Sequence, residues 1–204
     1  MVNKEQKANQ DDKARQRIIS YSSRLFFERG FRKVSIEELC AGMGISKRTF
    51  YQHFRNRDDL VESIIAETII PSFQIVIENL ASDKPVHIIL REHFRLLQDE
   101  LFSKLFLPFM SDVQTLMPEL WANVETSRAY AVDMVIQLLE RGKKEGVIRP
   151  DINTEAVSKI LQRIVVSIAD PTFVLSVGLS MQDLAMTMKE IVLKGVLVPG
   201  ILEE

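Results

Sequence analysis

The stretch VSIEELCAGMGISKRTFYQHF, residues 34–54, reads as two short helices joined by a tight turn. Ser35 stands where a side chain would cap the free N–H groups of a helix, and Glu38, three positions on, completes the pattern of a capping box. Ile36, Leu39 and Cys40 fall on one inward face. Gly44 supplies a turn that calls for a left-handed backbone. Ser46 caps the next helix, Lys47 to Phe54, in which Phe50 and Phe54 stand one helical turn apart and face the core. Lys47, Arg48, Thr49, Tyr51, Gln52 and His53 are left on the outside, with no acid among them. Phosphate oxygens need donors, and base edges need bidentate or short polar groups. A helix that is merely solvated mixes acids with bases. The segment therefore predicts a helix-turn-helix that docks on DNA.

Outward from this stretch, helical periodicity dominates, and the expected fold is all-α. A first helix is expected from about Asp12 to Arg29, with Ala14, Ile18, Tyr21, Leu25 and Phe26 on one face and Gly30 ending it. Asn56 caps a fourth helix whose first turn holds Asp58 and Asp59, which favour the positive end of the helix. It continues through Leu60, Val61, Ile64 and Ile65 and bends at Pro71. A further helix starts at 82–85 and buries Val86, Ile89, Leu90, His93, Phe94, Leu97 and Leu101. A stretch with Phe102, Phe106, Pro108, Phe109, Met110, Met117 and Pro118 follows, then a long helix from about Glu119 to Lys144. Residues 146–153 form a turn. Two helices close the chain, with Pro171 and Gly178 interrupting the link between them.

Charge supports the division. Residues 1–57 hold thirteen Lys and Arg against six Asp and Glu, whereas the rest holds thirteen against twenty-two. A basic head on an acidic body points to a polyanionic partner for the head. The single cysteine, Cys40, rules out a disulfide framework within the chain and fits a reducing compartment. No apolar run reaches the roughly 18 residues of a membrane span, and the polar N-terminus does not resemble a signal peptide. A cytoplasmic protein with no membrane partner is expected. No Gly-rich phosphate loop, metal-ligand spacing or nucleophile elbow is present, so neither an enzyme nor a metal or cofactor site is expected. The alternative from another class is a helical adaptor whose N-terminal unit binds protein.

The text ARQRIISYSSRLFFERGFRKVSIEELCAGMGISKRTFYQHFRNRDDLVESI resembles the TetR family of bacterial repressors, most specifically in GFRKVSIEELCAGMGIS and TFYQHFRNRDDL. EGVIRPDINTEAV, residues 145–157, is similar to the link that precedes the dimerisation helices of that family. The resemblance implies a DNA-binding domain over residues 1–57 and an effector-binding and dimerisation domain over 58–204. It implies phosphate contacts from Ser35, Tyr51 and His53, with Arg57 touching the backbone. Lys47, Arg48, Thr49 and Gln52 would face the groove, with Ser46 at the start of their helix. Arg48 and Gln52 stand where small and aromatic residues are frequent in the family, and Cys40 stands where alanine is common.

For the body, the resemblance implies a homodimer that releases a palindromic operator on binding a small hydrophobic effector. His93, Phe94, Phe106, Phe109, Met110, Met117, Trp121, Arg128, Tyr130 and Met134 are the candidate pocket. Arg128 falls on an apolar stripe and must be paired or wet; Glu125 is its expected partner, and gripping an acidic effector is the competing role. The candidate dimer seam is Val157, Ile160, Leu161, Ile164, Val165 and Ile168, followed by Leu184, Met188, Ile191 and Val192.

Overall fold

A computed structural model describes residues 2–98, 106–168 and 170–201. They form α1 (Val2–Arg29), α2 (Ile36–Met43), α3 (Lys47–His53), α4 (Arg57–Ile64), a π-helical turn (Ile65–Ile69), α5 (Ile70–Leu80) and α6 (Val86–Gln98). After them come α7 (Phe106–Leu116), α8 (Pro118–Lys144), α9 (Thr154–Ile168), α10 (Pro171–Val177) and α11 (Met181–Gly195). The fold is all-α, and one isolated antiparallel bridge joins Ile148 to Leu197.

The chain separates into two compact units. The first contains the described residues of 1–69 and 105–120, and the second those of 70–104 and 121–204. In the first, α1 starts ten residues earlier than its expected start at Asp12, because residues 2–11 hold good helix formers and neither Gly nor Pro. Its buried side is also rotated from the expected one. Ile18, Ile19, Ser22, Ser23, Phe26 and Phe27 are buried, while Tyr21 and Leu25 are half-buried. The two serines, short enough to let helices approach closely, widen a face that an apolar count alone misses.

Caps fix the short helices. Ser35 Oγ accepts the Glu38 N–H at 3.1 Å, Ser46 Oγ accepts the Thr49 N–H at 3.0 Å, and Asn56 Oδ1 accepts the Asp59 N–H at 2.8 Å. The Glu38 carboxylate, expected to close a capping box, is taken instead by Arg29 at 2.6 Å. Gly30 and Gly44 adopt positive φ of 79° and 67°. The bend expected at Pro71 appears as the π turn just before it. Proline offers no N–H to the helical ladder, and a wider turn absorbs the mismatch. Residues 57–80 are long and apolar enough to cross a membrane by composition, but Leu60, Val61, Ile64, Ile65 and Ile69 are buried in the first unit's core.

Helix α7 is the unexpected member of this unit. Phe109 is fully buried, with its ring 5.2–6.3 Å from those of Phe26, Phe27 and Phe31. The Asp112 carboxylate accepts the Arg32 N–H at 2.9 Å. A Cβ on Gly30 would lie 2.5 Å from that carboxylate, so only glycine admits it there. Phe109 therefore serves the core of the N-terminal unit, a correction to its expected place in a body pocket.

The second unit closes around Val86, Ile89, Leu138, Leu139, Ile148 and Leu197. Glu145 rather than the local Ser82 caps α6, accepting the Val86 N–H at 2.9 Å. Arg141 bonds both Glu145 and the Ser82 carbonyl, at 2.8 and 2.7 Å. The link 145–157 is pinned by Arg149 N–H to Val196 O and Val198 N–H to Val147 O, at 3.0 and 2.9 Å. Pro171 and Gly178 bound a short helix rather than merely interrupting a link: Asp170 caps it, Pro171 occupies its first turn, and Gly178 ends it at φ 67°.

Gly142 lets the chain fold back on α8. The Val147 and Ile148 N–H groups both donate to its carbonyl, at 2.9 and 3.1 Å. A Cβ there would lie 2.7 Å from Ile148 Cγ1 and 3.0 Å from Val86 Cγ1. Alanine gains about 0.5–1 kcal/mol over glycine inside a helix, but overpacking a filled core costs about 1–3 kcal/mol. The second effect wins: Gly142→Ala is expected to lower stability by about 1 kcal/mol or more, read as a lower urea midpoint at unchanged slope. A more stable variant would show that the fold-back is loosely packed.

Candidate nucleic-acid interface

The orientation of α3 follows from two side chains. Phe50 and Phe54 are both buried, with ring centroids 5.7 Å apart. Arg15 of α1 lies over the Phe54 ring at 5.3 Å. With that face inward, Ser46, Lys47, Arg48 and Gln52 are exposed, and Thr49 is half-buried with its Oγ1 2.9 Å from Ser46 Oγ. Tyr51 is 52% exposed, with its ring edge-on to Phe50 at 5.5 Å. A rigid phenol thus stands clear of the surface.

Ser35, Ile36, Glu37, Tyr51, Asn56, Arg57 and Asp58 line a shallow cleft of about 380 Å3, open to solvent. Arg57 is fixed at its edge, donating to the Phe31 carbonyl at 3.2 Å and stacking on the Phe31 ring at 5.4 Å. Ser35, Tyr51 and Arg57 are therefore brought together although they are far apart in sequence.

His53 departs from expectation. Its side chain is only 5% exposed, with Nδ1 3.8 Å from the Asp11 carboxylate. Position 53 lies three after Phe50 and next to Phe54, so it borders the inward face. The early start of α1 brings Asp11 to it. Glu37, by contrast, escaped attention in the sequence. It forms an ion pair with Lys47, which places an acid beside a helix face that is acid-free in sequence. Only the packing of α2 against α3 reveals this. Cys40 is buried, and burial pushes its thiol above the ordinary range, so it is protonated and inert.

Of the expected pocket residues, Phe109, Met110 and Met117 belong to the first unit, and His93, Trp121, Arg128, Tyr130 and Met134 to the second. The side chains of Phe94 and Phe106 lie outside the described residues, as do those of Val165 and Ile168 in the seam. Arg128 is buried, pairs with Glu125 and sits 5.7 Å over the Trp121 ring. His93 Nδ1 is shielded from solvent, and burial pushes the imidazole down to about 4, so it is neutral at pH 7. Tyr130 is exposed. In the seam, Leu161 and Val192 are core residues of their own unit, whereas Ile160 and Ile191 are 59% and 58% exposed.

Two capped helices at a tight turn, with a donor-rich second helix exposed, define a helix-turn-helix DNA-binding protein. Residues 18–64 match the family model described as bacterial regulatory proteins, tetR family. The chain is 27% identical over 154 residues to the HTH-type transcriptional regulator UidR of Escherichia coli K12, covering 72% of this chain and 75% of that protein. It is 24% identical over 165 residues to the HTH-type transcriptional repressor KstR2 of Rhodococcus jostii, covering 72% and 74%. Its fold is shared with a putative transcriptional regulator from Saccharomonospora viridis solved in complex with choline, at a TM-score of 0.68 and 18% identity over 92% of this chain and 99% of that one. Over residues 18–64 the chain is thus similar to TetR-family regulators, and it is a DNA-binding transcriptional regulator. Its relatives are regulators rather than enzymes.

If Tyr51 and Arg48 touch DNA directly, Tyr51→Ala and Arg48→Ala should each weaken binding by about 1–3 kcal/mol. Arg48→Ala should also change the preferred sequence, whereas Tyr51→Ala should weaken all duplexes alike. Gel shifts on a panel of point-substituted duplexes separate the two, and unchanged affinity in both variants would remove α3 from the interface.

Proposed function

We propose that the protein is a repressor that binds a palindromic operator as a homodimer in the cytoplasm and is released by a small hydrophobic effector. The observation that carries this reading is the exposed face of α3 from Lys47 to Gln52, held outward by the buried Phe50 and Phe54. Lys47, Arg48, Thr49 and Gln52 enter the groove, while Ser35, Tyr51 and Arg57 take phosphates. Residues 1–57 carry these contacts, and residues 58–204 carry assembly and effector binding. The likeness to a repressor supports the sign of regulation.

Assembly rests on Ile160 of α9 and Ile191 of α11, each more than half exposed. Large aliphatic groups left in water on two helices of one unit are best covered by a second copy. Two recognition helices read a palindrome when a two-fold axis sets them about 34–36 Å apart. Ile160→Glu and Ile191→Glu leave the subunit core intact but strand a charge in the seam, at a cost of about 3–5 kcal/mol. Sedimentation velocity should show monomers, with palindrome binding lost in parallel. A variant that stays dimeric places the seam elsewhere.

The effector reading rests on the second unit, where a half-buried indole and a neutral, buried histidine suit an apolar guest. Arg128, whose charge is met by Glu125, favours an uncharged guest over an anionic one. Trp121 is the sole tryptophan, so its fluorescence reports on this place alone. Among a panel of hydrophobic compounds, an inducer should quench Trp121 and bind the DNA complex more weakly, with a coupling of about 1–3 kcal/mol. A compound that binds free and DNA-bound protein equally is no inducer, however tight.

A further inference from the structure

Glu37 stands among groups that would meet DNA. Its carboxylate is ion-paired with Lys47 at the start of α3, with side-chain exposures of 60% and 54%. It also lines the cleft shared by Ser35, Tyr51 and Arg57. The acid thus lies between the row assigned to phosphates and the face assigned to the groove. The hydrogen bond to Lys47 holds the Glu37 carboxyl below the usual carboxylate range, and the same bond holds the Lys47 ammonium above its own. Both groups are charged at neutral pH, and in the free protein the Lys47 charge is engaged by Glu37.

Docking on DNA forces a choice. To reach a phosphate, Lys47 must leave Glu37, which strands a carboxylate against a polyanion at a range where salt screens little, since the Debye length is about 8 Å at physiological ionic strength. If Lys47 stays with Glu37, the phosphate loses a cation. Either way the protein binds an arbitrary duplex less well than the basic face alone would allow. A base edge changes the balance, because the amino groups of cytosine and adenine present donors in the major groove that a carboxylate accepts.

We infer that Glu37 is a selectivity residue of the DNA-binding face, which withholds Lys47 from non-cognate DNA and is compensated only where a base amino group meets its carboxylate. This rests on the DNA-binding role proposed for α3. Glu37 also lies in the first turn of α2, where an acid favours the helix end. A purely structural role of that kind would leave the salt dependence of binding unmoved.

The test uses the full chain and two duplexes: one recovered by the wild type from a randomised pool, and a scrambled duplex of the same length and composition. Affinity is measured across a range of KCl. Glu37→Gln keeps the shape and loses the charge. It should bind the scrambled duplex about tenfold tighter, with a log–log salt slope steeper by about 0.9 per subunit, as expected for one further phosphate neutralised. Its preference for the recovered duplex should fall by a similar factor or more. The steepening of the salt slope should be largely lost in a Lys47→Ala background, where only the direct repulsion of the carboxylate remains to be relieved, and Glu37→Ala should behave as Glu37→Gln does. Asp58→Asn, which removes an acid of the same cleft, should gain less. Unchanged binding of the scrambled duplex, a gain and salt-slope change undiminished by Lys47→Ala, or an equal gain in Asp58→Asn overturns the role of Glu37 while leaving the DNA-binding role of α3 standing. A wild type that recovers no duplex removes both.

Discussion

Phe50 and Phe54, one turn apart and both buried, set what α3 shows to solvent. A seven-residue helix has too few internal hydrogen bonds to hold its own direction. It borrows direction from these rings, from the Ser46 cap and from the Arg15 guanidinium over Phe54. Each exposed polar group of α3 owes its position to that anchoring, including the exposed phenol of Tyr51. The same constraint shields His53 from solvent, because position 53 borders the buried side and comes to rest beside Asp11.

The first unit is not assembled from contiguous sequence. Helix α7 lies over fifty residues beyond the end of α3, yet Phe109 fills the space between Phe26, Phe27 and Phe31. Asp112 fixes the turn at Gly30 and Arg32, just ahead of the helix-turn-helix. A boundary at residue 57 follows the residues proposed to contact DNA, whereas the core that supports them extends through the π turn and α7. Any movement of α7 would thus be felt directly by the helix that Arg15 and Phe26 belong to.

In the second unit, side chains distant in sequence close the start of α6, as local side-chain caps close the short helices of the first. Arg141 and Glu145 hold the start of α6 from the end of α8. Gly142 admits the chain where it turns back toward the Ile148–Leu197 bridge. The core closes with Leu161 and Val192 inside it, and Ile160 and Ile191 remain in water. Neighbouring positions on a helix point about 100° apart, so a wide apolar stripe can serve two surfaces at once.

The sequence by itself determined the helical class, the caps at Ser35, Ser46 and Asn56, the left-handed glycines at 30 and 44, and the outward set on α3 apart from His53. All of these are local: a cap acts within three residues, and a helical face repeats every three or four. The pairing of Arg128 with Glu125 was legible for the same reason, the two being three apart. Tertiary structure alone decided the partners that no short-range rule connects. Phe109 joins the N-terminal core, Glu145 caps a helix 59 positions away, and Glu37 meets Lys47 across the turn. It also decided which half of each terminal stripe is core. Periodicity tells that a side chain is apolar and which way it points along its own helix, but not which neighbour stands there, because that depends on how distant segments pack.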